Sequence, residues 1–338
     1  MDSLTHIVLG AAIGQAVAGK QAGRHAMIWG ALANSAPDID VLVSFFTNDV
    51  GAMVHHRGIT HSLITAVVAG PLIGYWFYRM NKKKGVTPLR MILLFTIGIV
   101  LHDLLDTCTI YGTGLLEPIS SYRFSIDNIF VADPLYTLPL LVSAIVLSFR
   151  GLSFKWRQRW NNAGIALSSL YMMMTFVNQH TVTKVLEQSL EKKGIHSSSY
   201  FVTPTLLNNI AWNVVVKDSS GYWTGYYSLF QHDREINLHY IPVNDALLGE
   251  MNKNTDVALL KKFSKGFYCI TKEQNRFWFN DLRFGQIGGW ERPDAPFAFS
   301  FDLSVGADNS IVVQRGRLEG SRSKMLASLW HFMWHGNG

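Results

Sequence analysis

Apolar residues in the first half of the chain gather in runs of roughly 16 to 22 positions, at about 4–19, 26–46, 60–80, 89–107, 134–149 and 162–178. Each is near the length a helix needs to cross a hydrocarbon core about 30 Å thick. The pattern predicts about six spans, with four as the lower bound because the first, fifth and sixth are short enough to be tilted or re-entrant. Beyond His180 the period changes. Short alternating runs at 210–216, 222–229, 236–241, 267–271, 276–284, 297–305 and 310–314 read as strands, set apart by turn sequences such as Asp218-Ser219-Ser220-Gly221 and Lys272-Glu273-Gln274-Asn275. Helices are expected at 244–262 and 324–334. The fold class is accordingly a mainly α-helical multi-span membrane domain over residues 1–179. An α+β extracytoplasmic domain with a mostly antiparallel sheet is expected over 180–338.

Charge orients the spans. Lys20, Arg24, Arg79, Lys82, Lys83, Lys84, Arg90, Arg150, Lys155, Arg157 and Arg159 all fall in alternate loops, whereas the opposite loops before the last span hold only Arg57 and Arg123. Basic residues near span ends stay cytoplasmic, so the N-terminus and the C-terminal domain are expected outside a bacterial-type inner membrane. The net charge of +6 is thereby read as topology, with a lipid bilayer as partner and no nucleic acid. No basic residue precedes the first apolar run, so that run is expected to be retained rather than cleaved. Two cysteines, Cys108 and Cys269, exclude both a disulfide framework and a cysteine zinc site.

Against this background the ionisable residues are unevenly placed. Asp2 and His6 stand at the outer start of the first span, Asp38 and Asp40 in the second, and His55, His56, Arg57 and His61 at the entrance to the third. His102, Asp103 and Asp106 lie near the outer end of the fourth, and Asp127 and Asp133 precede the fifth. Such groups are costly within a membrane unless paired or coordinated, and here they accumulate at one depth. Asp2 with His6 and His102 with Asp106 are i,i+4 pairs that share a helix face. Imidazole with carboxylate suits zinc, with manganese or iron as alternatives. Plainer roles stand beside this one: Asp2 and Asp38 are also placed to cap helices, His55 reads as a solvated loop residue, and Asp127 and Asp133 as loop acids.

Thr5-His6, Pro37-Asp38-Ile39-Asp40, the run His56-Arg57-Gly58-Ile59-Thr60-His61-Ser62 and His102-Asp103-Leu104-Leu105-Asp106 together resemble the membrane-bound metal-dependent hydrolases of the YdjM-like family, over roughly residues 1–150. The resemblance implies that His6, Asp38, Asp40, His56, His61, His102 and Asp106 are metal ligands. It extends distantly to the zinc-dependent phospholipase C and P1 nuclease group, whose three-zinc site uses His-x-x-x-Asp pairs such as His102 with Asp106. Two or three zinc ions are therefore expected.

The expected activity is hydrolysis of a phosphoester in a membrane lipid by a metal-activated water at the outer face. In this reading Asp38 or Asp40 bridges ions or acts as general base, Arg57 grips phosphate, and Arg123 assists. A metal or proton transporter and a non-enzymatic envelope binding protein are the alternatives. The C-terminal half carries no nucleophile triad, phosphate loop or nucleic-acid motif. Its dense aromatics, including Trp212, Trp223, Trp278 and Trp290, serve a sheet core or a ligand-facing platform.

Overall fold

The computed structural model describes residues 1–82, 85–149, 151–197, 199–273, 275–304 and 322–336. Lys83, Lys84, Arg150, Gln274 and the expected strand at 310–314 lie outside the described residues. Two compact units form, one from Met1–Phe46 with His55–Met174 and the other from Thr47–Val54 with Thr175–Gly338.

The first unit is helical. In chain order the helices are α1 (Ser3–Ala22), α2 (Arg24–Asn34), a 3-10 segment (Pro37–Phe46), α3 (Asp49–His55), a 3-10 turn (Ile59–His61), α4 (Leu63–Asn81), α5 (Pro88–Thr107), α6 (Pro134–Ser148) and α7 (Phe154–Lys193), of which most of α3 and the part of α7 from Thr175 belong to the second unit. Local sequence sets the helix starts. Ser62 caps α4 by accepting from the Thr65 amide at 3.1 Å, Thr87 caps α5 ahead of Pro88, and Asp133 caps α6 ahead of Pro134.

The expected second span, 26–46, is corrected. Helix α2 ends at Asn34, because Pro37 lacks an amide hydrogen and biases the preceding residue away from helical backbone. The chain then tightens into the 3-10 segment that carries Asp38 and Asp40. The expected sixth span, 162–178, lies within the 40-residue α7. Among the described residues two helices, α4 and α5, are long and apolar enough to cross a membrane, and α6 is a shorter apolar helix. The outward surface of these helices is itself apolar: Val67, Leu72 and Trp76 of α4, Leu93 of α5, Leu138 of α6 and Leu170 of α7 are all exposed. A surface of that kind suits hydrocarbon rather than water.

Packing within the unit is close where side chains are missing. Helix α1 lies on α2 through Gly10, Gly14 and Gly30: a Cβ on Gly14 would fall on the Ala26 carbonyl, and one on Gly30 on the Gly10 carbonyl. Small residues four apart let helix backbones approach in this way. Arg90 anchors the start of α5 to the end of α1, donating to the Val17 carbonyl at 3.0 Å and to Gln21 Oε1 at 2.9 Å. The end of α1 and the start of α5 are therefore neighbours, and so are the start of α1 and the end of α5.

The second unit pairs strands in an antiparallel four-stranded sheet, β1 (Tyr200–Pro204), β2 (Ala211–Lys217), β3 (Gly221–Ser228) and β4 (His239–Pro242). A second antiparallel sheet joins β5 (Tyr268–Glu273), β6 (Arg276–Asp281) and β7 (Ser300–Asp302). Strand β1 is not marked by the sequence pattern, and the helical stretch expected at 244–262 divides into a kinked 3-10 segment and α8 (Thr255–Phe263). Helix α9 (Arg322–His335) packs Leu329, Phe332 and Met333 against Tyr226. The core beneath the first sheet joins Val182, Leu186 and Leu190 of α7 to Trp212, Val214 and Tyr227. Cys269 is fully buried, and burial pushes its thiol up to about 12, which leaves it unreactive at neutral pH.

Gly14→Val inserts a branched side chain where two backbones touch, and is expected to destabilise the solubilised protein by about 1–3 kcal/mol. Gly19→Ala, where the flexible Gln15 side chain is the neighbour, is expected to cost less. Thermal unfolding in detergent compares the two, and equal midpoints would contradict the packing described.

Candidate metal centre

Four segments of the helical unit converge at one end. The start of α1 brings His6, the 3-10 segment brings Asp38 and Asp40, the loop before α4 brings His56, Arg57 and His61, and the end of α5 brings His102, Asp103 and Asp106. His6, His61, His102, Asp103 and Asp106 are essentially without solvent contact, while Asp38 keeps part of its side chain exposed.

Hydrogen bonds fix which ring nitrogens face inward. The His102 Nδ1 lies 2.5 Å from the Asn34 carbonyl oxygen, which can only accept, so this nitrogen carries the hydrogen. The Thr60 hydroxyl donates to Asp40 Oδ2 at 2.9 Å, leaving its oxygen to accept from His61 Nδ1 at 3.0 Å. Both imidazoles therefore turn an Nε2 lone pair into the cluster. Each Nε2 is buried and has no hydrogen-bond partner among the described residues.

Two carboxylates face those lone pairs. His61 Nε2 lies 3.4 Å from Asp38 Oδ1 and 3.8 Å from Asp106 Oδ2, and His102 Nε2 lies 3.5 Å and 3.7 Å from the same two atoms. Donor atoms around a tetrahedral ion with bonds of about 2.0–2.1 Å sit about 3.3 Å apart. Acceptors facing one another at this spacing are reconciled by a metal ion between them or by a proton on an imidazole. Asp38, His61 and His102 form a group that could hold a divalent metal, and the buried unpartnered nitrogens are the observation on which that fit rests.

Two further groups adjoin it. His6 and His102 stack with centroids 3.8 Å apart, and His6 Nε2 lies 3.1 Å from Asp106 Oδ1, so these three residues form a second potential ligand group. Asp38, Asp40 and His56 form a third. Asp38 thus belongs to two groups and is placed to bridge them. Within the third group His56 Nδ1 is 2.8 Å from Asp40 Oδ1, a hydrogen bond that competes with coordination.

The remaining contacts hold these candidate ligands in place. Asp40 also accepts from the Arg57 amide at 3.0 Å, with Arg57 in the left-handed region at φ 63°. The buried Arg57 guanidinium places Nε 2.9 Å from Asp106 Oδ2, donates to Thr109 at 2.7 Å, and covers the Tyr111 ring. The Met1 amino group also contacts Asp106. Arg123 donates to the His56 carbonyl at 2.7 Å and lies 3.9 Å from Glu117. Neither Asp103 carboxylate oxygen has a hydrogen-bond partner among the described residues.

Other sequence candidates lie outside the ligand groups. Asp2 caps α1, accepting from the Thr5 amide at 3.1 Å. Asp133 caps α6 and accepts from the Tyr171 hydroxyl at 2.7 Å. Asp127 accepts from Ser125 at 3.2 Å, and His55 is exposed at the end of α3. Asn34 and Thr60, which set imidazole orientation, escape a reading of the sequence alone. Asn34 acts through its backbone carbonyl, which leaves no residue-type signal, whereas Thr60 stands in plain view within the His-Arg-Gly-Ile-Thr-His run.

Comparison with known proteins agrees with this region. The YdjM inner membrane protein family matches residues 1–182. The chain is similar to the uncharacterized protein YfhP of Bacillus subtilis, with 28% identity over 240 residues, covering 67% of this chain and 68% of that protein. It is also similar to the inner membrane protein YbcI of Escherichia coli, with 33% identity over 123 residues, covering 36% of this chain and 69% of that one. No solved structure matches.

Because Asp38 is shared and His56 is not, Asp38→Ala is expected to abolish high-affinity zinc binding, while His56→Ala keeps at least one ion. Calorimetric titration of chelator-stripped protein with zinc reads the stoichiometry. Equal loss in both variants would contradict the shared role of Asp38.

Proposed function

This chain belongs to the YdjM inner membrane protein family, and on that premise we propose that it is a membrane-bound metal-dependent hydrolase acting on a phosphoester of a membrane lipid. The observation that carries the reading is the pair of inward Nε2 lone pairs, on His61 and His102, facing the Asp38 and Asp106 carboxylates across 3.4–3.8 Å. Two or three zinc ions, or manganese or iron in their place, fit the histidine and carboxylate donors. When bound, such ions supply Lewis acidity that brings a water toward ionisation at neutral pH and offsets charge on a phosphoryl oxygen.

The chain's own residues do the rest. Asn34 and Thr60 hold His102 and His61 in the tautomers that coordinate, the kind of outer support whose loss costs about 10–100-fold in metal affinity. Arg57 offsets the Asp106 charge where both side chains are buried. Asp38, partly exposed where its neighbours are buried, is the carboxylate nearest an entering substrate and the better placed of the two candidates for general base. Arg123, tied to the His56 carbonyl, stands ready at the loop to meet a phosphate.

We place the site at the extracytoplasmic face of a multi-span domain. Support comes from helix ends: the cluster sits at the end of the helical unit opposite Lys20, Arg79 and Arg90, which the positive-inside bias assigns to the cytoplasm. The buried carboxylates of that unit, Asp40, Asp103, Asp106, Asp127 and Asp133, all lie at or near the cluster's end of the chain path. The clustering of the carboxylates at one end supports a localised site rather than a chain of acidic relays through the unit.

Chelator-treated protein in mixed micelles of phosphatidylglycerol is expected to release no phosphoryl product until zinc or manganese is returned. Asp106→Asn is expected to lower the restored rate at least about 100-fold, or about 2.7 kcal/mol in barrier. Turnover that survives both treatments would refute the proposed activity.

A further inference from the structure

The sheet unit contains an open cleft of about 720 Å³, apart from every residue of the histidine cluster. Its walls come from the end of α7, from β3, from the 286–293 loop and from α9. A volume in this range suits a small ligand, and pockets that bind one combine an apolar wall with a few convergent polar groups.

Both ingredients are present. The Trp290 ring lies 6.4 Å from Phe332 and 6.0 Å from Tyr226, centroid to centroid, giving an aromatic wall. That wall is fixed in advance. Trp290 Nε1 donates to Ser328 Oγ at 2.8 Å, and the same hydroxyl donates to Glu291, so the one acid of the lining is already engaged. Behind it the Gln286 amide donates to the Tyr226 hydroxyl at 2.6 Å, and the Gln286 side chain clamps the loop through the Pro293 and Ala295 carbonyls at 2.8 and 2.7 Å. At the rim stand Lys193, Arg292 and His331. No carboxylate is paired with Lys193 among the described residues, and Arg292 has a single loose contact with Asp294 at 3.9 Å.

We propose that this cleft binds a phosphate ester, its phosphate held at the rim by Lys193, Arg292 and His331 and its apolar portion laid against Trp290 and Phe332. Guanidinium and ammonium groups on a preformed, largely uncompensated rim recognise the phosphate, and the rings select an ester over the bare anion. The site is separate from the metal cluster and does not depend on the hydrolase reading.

The test uses full-length protein carrying Asp106→Asn, stripped of metal and solubilised in a neutral detergent, titrated by calorimetry. Three probes are compared: dihexanoyl phosphatidic acid, glycerol 3-phosphate and inorganic phosphate. Saturable binding of the lipid, at least ten-fold tighter than inorganic phosphate, is the expected result. It should weaken at least ten-fold in Lys193→Glu/Arg292→Glu and stay unchanged in Lys324→Glu, a surface change outside the lining. Glycerol 3-phosphate binding as tightly as the lipid would overturn the apolar-wall role of Trp290 and Phe332. No saturable binding, equal affinity for inorganic phosphate, or indifference to the double variant would overturn the proposal. Because Asp106→Asn removes the metal cluster's own contribution, failure here leaves the hydrolase reading untouched, and the reverse.

Discussion

A neutral buried imidazole that gives its Nδ1 hydrogen to a neighbour turns a lone pair to its other side, where a metal ion or a proton can be held. His61 and His102 are both in that condition, and both face carboxylates. Water cannot relieve the repulsion, because these side chains have essentially no solvent contact. A cation held by Asp38, His61 and His102 would turn unfavourable neighbours into bonds, whereas an unpaired buried polar group costs about 1–3 kcal/mol and a charge more. The electrostatics of the helical unit turn on this one requirement.

The surrounding fold meets it. Breaking α2 before Pro37 frees Asp38 and Asp40 from helical spacing and lets both reach inward from a 3-10 segment. The end of the same helix supplies the Asn34 carbonyl, one of the terminal acceptors that helical backbone leaves unused, and it orients His102. Glycines at the α1–α2 contact bring His6 and Asn34 close enough for the Asn34 side chain to reach the His6 carbonyl at 2.7 Å. Helix packing and ligand placement are thus one problem with one solution.

Much of this is legible in the residues alone. Helices α1, α4, α5 and α6 follow from apolar run length, and the candidate ligand residues stand out because charged residues rarely cluster along apolar spans without a reason. Strands β2, β3, β5 and β6 follow from alternation. The 26–46 run is not one continuous helix, and the irregular backbone around Asp38 and Asp40 agrees with the break that Pro37 marks in the sequence. Strand β1 is missed because Pro204 and the short Tyr200–Pro204 run give weak alternation, its place being set by pairing with β2. Arg57 reads as a phosphate ligand from its neighbours in sequence, while its contact with Asp106 spans 49 positions in the chain and leaves no local trace.

Metal content of the protein purified without chelators, measured by elemental mass spectrometry beside a His102→Ala/Asp106→Ala variant, addresses the central claim most directly. Two or three zinc-class ions per chain in the wild type, lost in a variant that still purifies as folded protein, is the predicted result. A wild type free of metal would contradict the account and return the His61 and His102 nitrogens to a purely structural polar network.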